Sequence, residues 1–176
     1  MRVVIDGDSV AEHRADNWPS FLSQFRPTFN IVNLSEHRST TLDVIARISK
    51  ALWDPTDLYI LQLGQWSSRN QDLNSFHEDI GYIVRQVHAC GVPVCLSTPA
   101  SMDPLVVCYV ETVCELAAIH NTMLVDCYGL ARSHGMDRSW FTDLGDQIPC
   151  HLNEKGAAIV ARFFVDSVKH PYGSVL

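Results

Sequence analysis

The stretch that decides the fold is Arg2–Val10, with the sequence RVVIDGDSV. Three apolar β-branched residues are followed at once by Asp6–Ser9, a segment of aspartate, glycine and serine. This order is typical of a buried strand that runs into a tight loop. We therefore predict a first strand whose loop presents Ser9 at the end of a sheet.

Similar runs recur along the chain, and each is bounded by proline, glycine, asparagine or aspartate. They are Asn30–Leu34, Leu58–Leu63, Val92–Ser97 and Thr122–Asp126. Each run is continuously apolar and does not alternate with polar residues, which favours strands buried on both faces. The sequence thus predicts five strands of one parallel sheet.

Segments with helical spacing separate the strands. They are Thr41–Leu52, Ser75–Cys90, Asp103–Ile119 and a last helix that begins at Asn153. Ser75 and Glu78 match a capping box, and Gly91 matches a C-terminal stop. The stretch 128–150 is predicted to be irregular. Strands that alternate with helices indicate a three-layer α/β/α sandwich, in which ligands bind beyond the carboxyl ends of the strands.

Composition limits the kinds of function. The chain has 176 residues, of which 47% are hydrophobic, and 13 basic against 20 acidic residues give 13 − 20 = −7. One domain over residues 1–176 is the expectation for this length. The charge argues against nucleic-acid binding, which needs a basic footprint. No apolar run reaches the 18 or so residues of a membrane span, and the N-terminus lacks a secretory pattern, so we expect a cytoplasmic protein.

The cysteines and glycines predict no cofactor and no metal site. None of the six cysteines forms a CxxC pair or a zinc-type cluster, and most lie in apolar segments, so they are interpreted as buried thiols. The loop at Gly64 lacks the spacing of a phosphate-binding loop, and Gly7 alone is no dinucleotide motif.

A possible catalytic group is spread over the two ends of the chain. Ser9 follows the first strand, and His151 precedes the last helix, with Asp143 and Asp146 shortly before it. A serine nucleophile needs a base within hydrogen-bond reach, and the base needs an acidic partner. Taken alone, the Gly-Asp-Ser tripeptide is more typical of a turn that Asp8 or Ser9 caps, and its position after the first strand is what favours a catalytic role.

Four blocks in this order resemble the SGNH hydrolases, also called the GDSL esterase and lipase family. The blocks are Val3–Ser9, Val32–Ser35 leading to Thr40 and Thr41, Ile60–Gly64, and His151–Gly156. The resemblance spans nearly the whole chain and implies a flavodoxin-like α/β fold. It also implies that Ser9 is the nucleophile and His151 the base, with Asp8 and Gly64 in the loops of the site.

The block that precedes the histidine departs from the family pattern. Family members have an aspartate three residues before the histidine, where this chain has Ile148. The segment reads as though Pro149 and Cys150 were inserted, which makes Asp146 the implied third member of the triad, with Asp143 behind it. A shift of about 1 Å in a catalytic group can cost about a hundredfold in rate.

Two blocks that form the oxyanion hole are also altered. Ser35 stands where the family has glycine, and Trp66 stands where it has asparagine. Losing one oxyanion donor typically costs about 10² to 10³ in rate. The candidate donors are the backbone NH groups of Ser9 and Ser35 and the side chains of Gln65, Asn70 and Trp66.

The sequence predicts a serine-dependent ester hydrolase that acts on a small-molecule ester with a small acyl or acetyl group. An acyltransferase that uses the same site is an alternative, and so is a non-catalytic binding domain with this fold. A Ser9 to His151 separation above about 6 Å would favour the binding domain. Arg38 is the main basic residue expected near the site, so we expect a neutral or locally anionic substrate. Trp66, Trp140 and Phe141 are candidates for lining the pocket, with packing an equal alternative for Trp140. Oligomeric state stays open.

Overall fold

The computed structural model describes residues 1–142 and 149–168. The strands are β1 (Arg2–Gly7), β2 (Asn30–Asn33), β3 (Leu58–Gln62), β4 (Val94–Thr98) and β5 (Met123–Asp126). They form one parallel sheet in the order β2-β1-β3-β4-β5. The prediction of five parallel strands is confirmed, with the first strand at an interior position.

Helices cover both faces of this sheet. Within the described ranges they are α1 (Trp18–Phe25), α2 (Thr41–Ala51), α3 (Ser67–Asn70), α4 (Leu73–Ala89), α5 (Val107–Ile119), α6 (Cys127–Ser133) and α7 (Glu154–Ser167). Helices α1, α6 and α7 pack on one face, and α2, α4 and α5 pack on the other. The fold is thus the three-layer α/β/α sandwich that the sequence predicts.

The alternation of side chains along β1 explains why its sequence is apolar without interruption. Val3 and Ile5 belong to the core beneath α1 and α7, whereas Val4 between them belongs to the core beneath α2 and α4. All three are fully buried. Successive side chains of a strand point to opposite faces, so a strand covered on both sides needs apolar residues at every position.

Two local predictions are wrong. The first turn of α4 is capped by Asp72, whose carboxylate accepts the Ser75 NH at 2.9 Å, and not by a capping box at Ser75. The stretch 128–150 is not wholly irregular, because Cys127–Ser133 is helical and is capped by Asp126. The stop at Gly91 is confirmed by its left-handed backbone, with φ 72°.

The cysteines are less buried than predicted. Cys95 and Cys127 are buried, whereas Cys90 and Cys108 are exposed and Cys150 is half-buried. An apolar neighbourhood in the sequence does not bury a side chain on the outer face of a helix. In the part of the chain that the structure describes, no helix combines the length and apolar character needed to cross a bilayer.

Candidate functional site

The loop after β1 presents Ser9 at the carboxyl edge of the sheet. Gly7, the last residue of the strand, lies so close to β3 that a Cβ there would overlap the carbonyl oxygen of Gln62. This close approach requires glycine and fixes the loop against the neighbouring strand. Ser9 itself is 6% exposed, so most of the residue is shielded from water.

Asp8 ties this loop to the loop after β3. Its carboxylate accepts the Val10 NH at 3.0 Å and the Trp66 NH at 3.1 Å. The side chain is fully buried. Burial raises the pKa of the Asp8 carboxyl from 3.8 to about 6, although NH groups of Val10, Trp66 and Gln65 act in the opposite direction. Asp8 is thus a structural clamp as well as the neighbour of Ser9.

His151 comes from the other end of the chain and meets Ser9. Its Nε2 lies 3.0 Å from Ser9 Oγ, which is hydrogen-bond distance. The segment that carries it is held by two backbone bonds, from the Met102 NH to the Pro149 carbonyl at 3.1 Å and from the Thr142 NH to the His151 carbonyl at 2.8 Å. The structure thus brings together the two residues that the first and last blocks predict.

The environment of His151 favours a neutral imidazole. Burial lowers the pKa of His151 from 6.5, and the positive charge of Arg14 and His37 lowers it further, against the smaller effect of Glu12. A neutral ring with an unprotonated Nε2 can accept a proton. Its second nitrogen, Nδ1, lies 3.4 Å from Cys150 Sγ. The predicted acid partners, Asp146 and Asp143, lie outside the described residues.

The candidate oxyanion donors differ in their availability. The Ser9 NH has no acceptor among residues 1–142 and 149–168, so it can donate to a ligand. The Ser35 NH already donates to Asn33 Oδ1 at 2.9 Å. The Gln65 amide contacts Asp103 Oδ2 at 3.4 Å, and the Asn70 amide donates to the Trp66 carbonyl at 2.9 Å.

The Ser35 NH would therefore have to exchange its partner before it could bind an oxyanion, whereas the amides of Gln65 and Asn70 each carry a second N–H. The indole NH of Trp66 has no partner within the described ranges. Of the side chains that the sequence suggests as donors, Trp66 is the one without a competing bond. Gly64 supports this loop through its left-handed backbone, with φ 126°.

A small recess lies beside the two catalytic candidates. It is lined by Ser9, Val10, Arg14, Asp16, Asn17, His151 and Leu152. The recess is shallow, because its enclosed part has room for about one water molecule. Arg14 and Asp16 form an ion pair of 3.2 Å at its rim, and both side chains are about half exposed.

Two of the aromatic residues proposed for the pocket pack into the core. Trp140 and Phe141 are 3% and 4% exposed and belong to the core on the α7 side, which agrees with the packing alternative for Trp140, and neither lines the recess beside Ser9. Trp66 is half-buried, and the Arg38 guanidinium lies 5.1 Å from its ring centroid. Arg38 has a left-handed backbone, with φ 62°.

The sequence analysis missed an ion pair directly beneath the nucleophile loop. Asp6 is fully buried, and its carboxylate accepts hydrogen bonds from Arg47 at 2.6 Å and from the Tyr59 hydroxyl at 2.9 Å. Arg47 also donates to the Gly7 carbonyl at 3.3 Å. The sequence did contain a signal for this ion pair. Asp6 ends an apolar strand, and a carboxylate buried there needs a basic or hydrogen-bonding partner.

Comparisons with known proteins agree with this architecture. No protein-family model matches the sequence, and no curated protein matches it significantly. Solved structures do match. The acetyl xylan esterase AlAXEase superposes with a TM-score of 0.81 at 17% identity, over 96% of this chain and 100% of that one. The lipase/acylhydrolase from Enterococcus faecalis gives a TM-score of 0.80 at 16% identity, over 94% and 93%.

A member of the lipolytic protein G-D-S-L family from Veillonella parvula is also similar. Its TM-score is 0.77 at 19% identity, over 94% of this chain and 96% of that one. The chain therefore has the α/β fold of the G-D-S-L, or SGNH, hydrolases, as its motifs predict. The solved structures that share it with high similarity include esterases and lipases.

Proposed function

We propose that this protein is a serine-dependent ester hydrolase with Ser9 as nucleophile and His151 as general base. The observation that carries the proposal is the 3.0 Å contact between Ser9 Oγ and His151 Nε2. This distance is far below the roughly 6 Å that would favour a non-catalytic binding domain. The esterases and lipases among the similar structures support the same reaction class.

The reaction follows from the positions of these groups. Ser9 Oγ attacks the ester carbonyl carbon while its proton passes to His151 Nε2, and the resulting oxyanion accepts a hydrogen bond from the Ser9 NH. When the tetrahedral intermediate collapses, the alcohol leaves with the proton from His151. Water then gives a proton to His151 and attacks the acyl carbon. When the second intermediate collapses, His151 returns this proton to Ser9 Oγ and the carboxylic acid is released.

The recess supports a small acyl group. The recess beside Ser9 is shallow and has little enclosed room for a long acyl chain. The rim of the recess is polar, with the guanidinium of Arg14 and the carboxylate of Asp16. We therefore propose an acetyl ester of a polar alcohol as the substrate class. This agrees with a neutral or locally anionic substrate.

Hydrolysis of short-chain nitrophenyl esters tests the proposal. We expect nitrophenyl acetate to be cleaved by the wild type, with kcat/KM at least about 10³-fold lower in Ser9→Ala and in His151→Ala. Nitrophenyl decanoate should be a much poorer substrate. The exposed residues Ser133 and His88 supply matched controls, and their alanine variants should keep wild-type rates.

Two results would contradict the proposal. Equal rates in the wild type, Ser9→Ala and His151→Ala would show that Ser9 and His151 do not catalyse the reaction. The cleavage would then come from other groups, such as surface histidines, which cleave activated esters slowly. A wild type that is folded but inactive on all chain lengths would favour the non-catalytic alternative.

A further inference from the structure

The imidazole of His151 is held between an alcohol and a thiol. Ser9 Oγ lies 3.0 Å from Nε2, and Cys150 Sγ lies 3.4 Å from Nδ1 on the opposite edge of the ring. Sulfur is a weak hydrogen-bond partner. Within the described ranges, Cys150 Sγ is nevertheless the polar atom that contacts Nδ1. Among residues 1–142 and 149–168, the group beside the ring edge that usually faces an acidic partner in a catalytic triad is thus a cysteine.

The backbone fixes Cys150 in this position. The bond from the Met102 NH to the Pro149 carbonyl holds the residue before it, and the bond from the Thr142 NH to the His151 carbonyl holds the residue after it. Cys150 is half-buried. Its contact with Nδ1 thus belongs to a segment that is tied on both sides.

The charges around Cys150 keep the thiol neutral. Burial raises the pKa of Cys150 to about 11, the Arg69 guanidinium opposes this, and the carboxylates of Asp103 and Asp8 act in the same direction as burial. A neutral thiol can accept the hydrogen of Nδ1 or donate its own to that nitrogen. These two arrangements leave opposite tautomers of the imidazole.

Only one of these tautomers can take the proton of Ser9. If Nδ1 carries the hydrogen, Nε2 has a free lone pair that faces Ser9 Oγ. If the thiol donates to Nδ1, Nε2 carries the hydrogen and can no longer act as a base. We propose that Cys150 is a positioning residue. Its sulfur accepts a hydrogen bond from Nδ1–H and so keeps the Nε2 lone pair directed at Ser9 Oγ. This role rests on the esterase function proposed above, and it assigns to a thiol the task that the family resemblance gives to Asp146.

The ring nitrogens of His151 provide a test that does not depend on activity. Nitrogen-15 spectra of protein with labelled histidine distinguish the two tautomers, and His151→Ala identifies the signals of His151 among those of the 8 histidines. We expect hydrogen mainly on Nδ1 in the wild type. In Cys150→Ala the hydrogen should move toward Nε2, the position that free histidine favours in water.

Kinetics provide the second readout. Loss of one modest hydrogen bond predicts a kcat about five- to tenfold lower in Cys150→Ala, with KM nearly unchanged. Cys150→Ser keeps an acceptor at that position and should recover part of the rate. Cys90→Ala, which removes an exposed thiol from the end of α4, is the matched control and should behave as wild type.

The outcomes separate this inference from the proposed function. If the wild type hydrolyses esters but Cys150→Ala keeps both the tautomer and kcat, the inference is overturned. It is also overturned if Asp146→Asn, and not Cys150→Ala, moves the hydrogen from Nδ1. If the wild type is inactive while Cys150→Ala still shifts the tautomer, the esterase function fails and the positioning contact stands. Melting curves of each variant check that it is folded, and Cys150→Ser supplies the comparison if Cys150→Ala is not.

Discussion

Replacing Asp8 with asparagine should change how the stability of the protein depends on pH. Burial raises the pKa of this carboxyl from 3.8 to about 6 in the folded protein. Between these values the folded protein holds a proton that the unfolded chain has released, so stability falls as pH rises through this window. Above about pH 6 the cost of the buried charge is fully present. At about 1.4 kcal/mol per pKa unit it amounts to about 3 kcal/mol.

Asparagine carries no charge and therefore avoids this pH-dependent cost. The free energy of unfolding of Asp8→Asn minus that of the wild type should increase by about 2 to 3 kcal/mol when the pH is raised from about 4 to about 7.5. The variant thus becomes more stable relative to the wild type as pH rises. The asparagine amide binds the NH groups of Val10 and Trp66 less strongly than a carboxylate does. If this loss of stability is the same at both pH values, it cancels when the two differences are subtracted. Urea unfolding at both pH values measures it, and Asp166→Asn, on the outside of α7, controls for the loss of one negative charge. A difference between Asp8→Asn and wild type that stays the same at both pH values would refute the burial argument.

Three further predictions concern charge and packing. Because the pKa of His151 is lowered from 6.5, the acid limb of kcat/KM should lie below about pH 6.5, and Arg14→Gln should move it upward. Phe164→Ala, which removes a fully buried ring, should lower the free energy of unfolding by about 3 to 5 kcal/mol in urea titrations. Arg47→Ala should lower the free energy of unfolding by about 3 to 5 kcal/mol, because it leaves the buried Asp6 without its cation. A lower melting temperature will show this loss of stability.

The sheet could be predicted because its residues obey a local rule. Strands buried on both faces need continuous apolar runs, and each run ends at a residue that breaks a strand. Asn153 could likewise be assigned as a cap, and it does accept the Gly156 NH at 3.1 Å. The helix Trp18–Phe25 was missed because it is only eight residues long and its packing, a stack of Trp18 on Phe164 at 4.1 Å, joins distant parts of the chain.

The pairing of Ser9 with His151 could be predicted from motif order and sheet topology, since first and last loops meet at one edge of such a sheet. The contact that holds the loop of Trp66 could not be predicted. Asp8 and Trp66 follow different strands, and only the folded chain brings them together. The bond from the Ser35 NH to Asn33 Oδ1 is local, since asparagine often accepts from the backbone two residues further on, but the sequence analysis did not use this signal.

The central claim is that His151 activates Ser9 as a nucleophile. A fluorophosphonate probe followed by peptide mapping tests this most directly, because the probe forms a bond only with an activated serine. The account predicts one label, on Ser9, that is lost in His151→Ala at neutral pH and kept in His88→Ala. Absence of the label from folded wild-type protein, or equal labelling of Ser9 in His151→Ala, would contradict it.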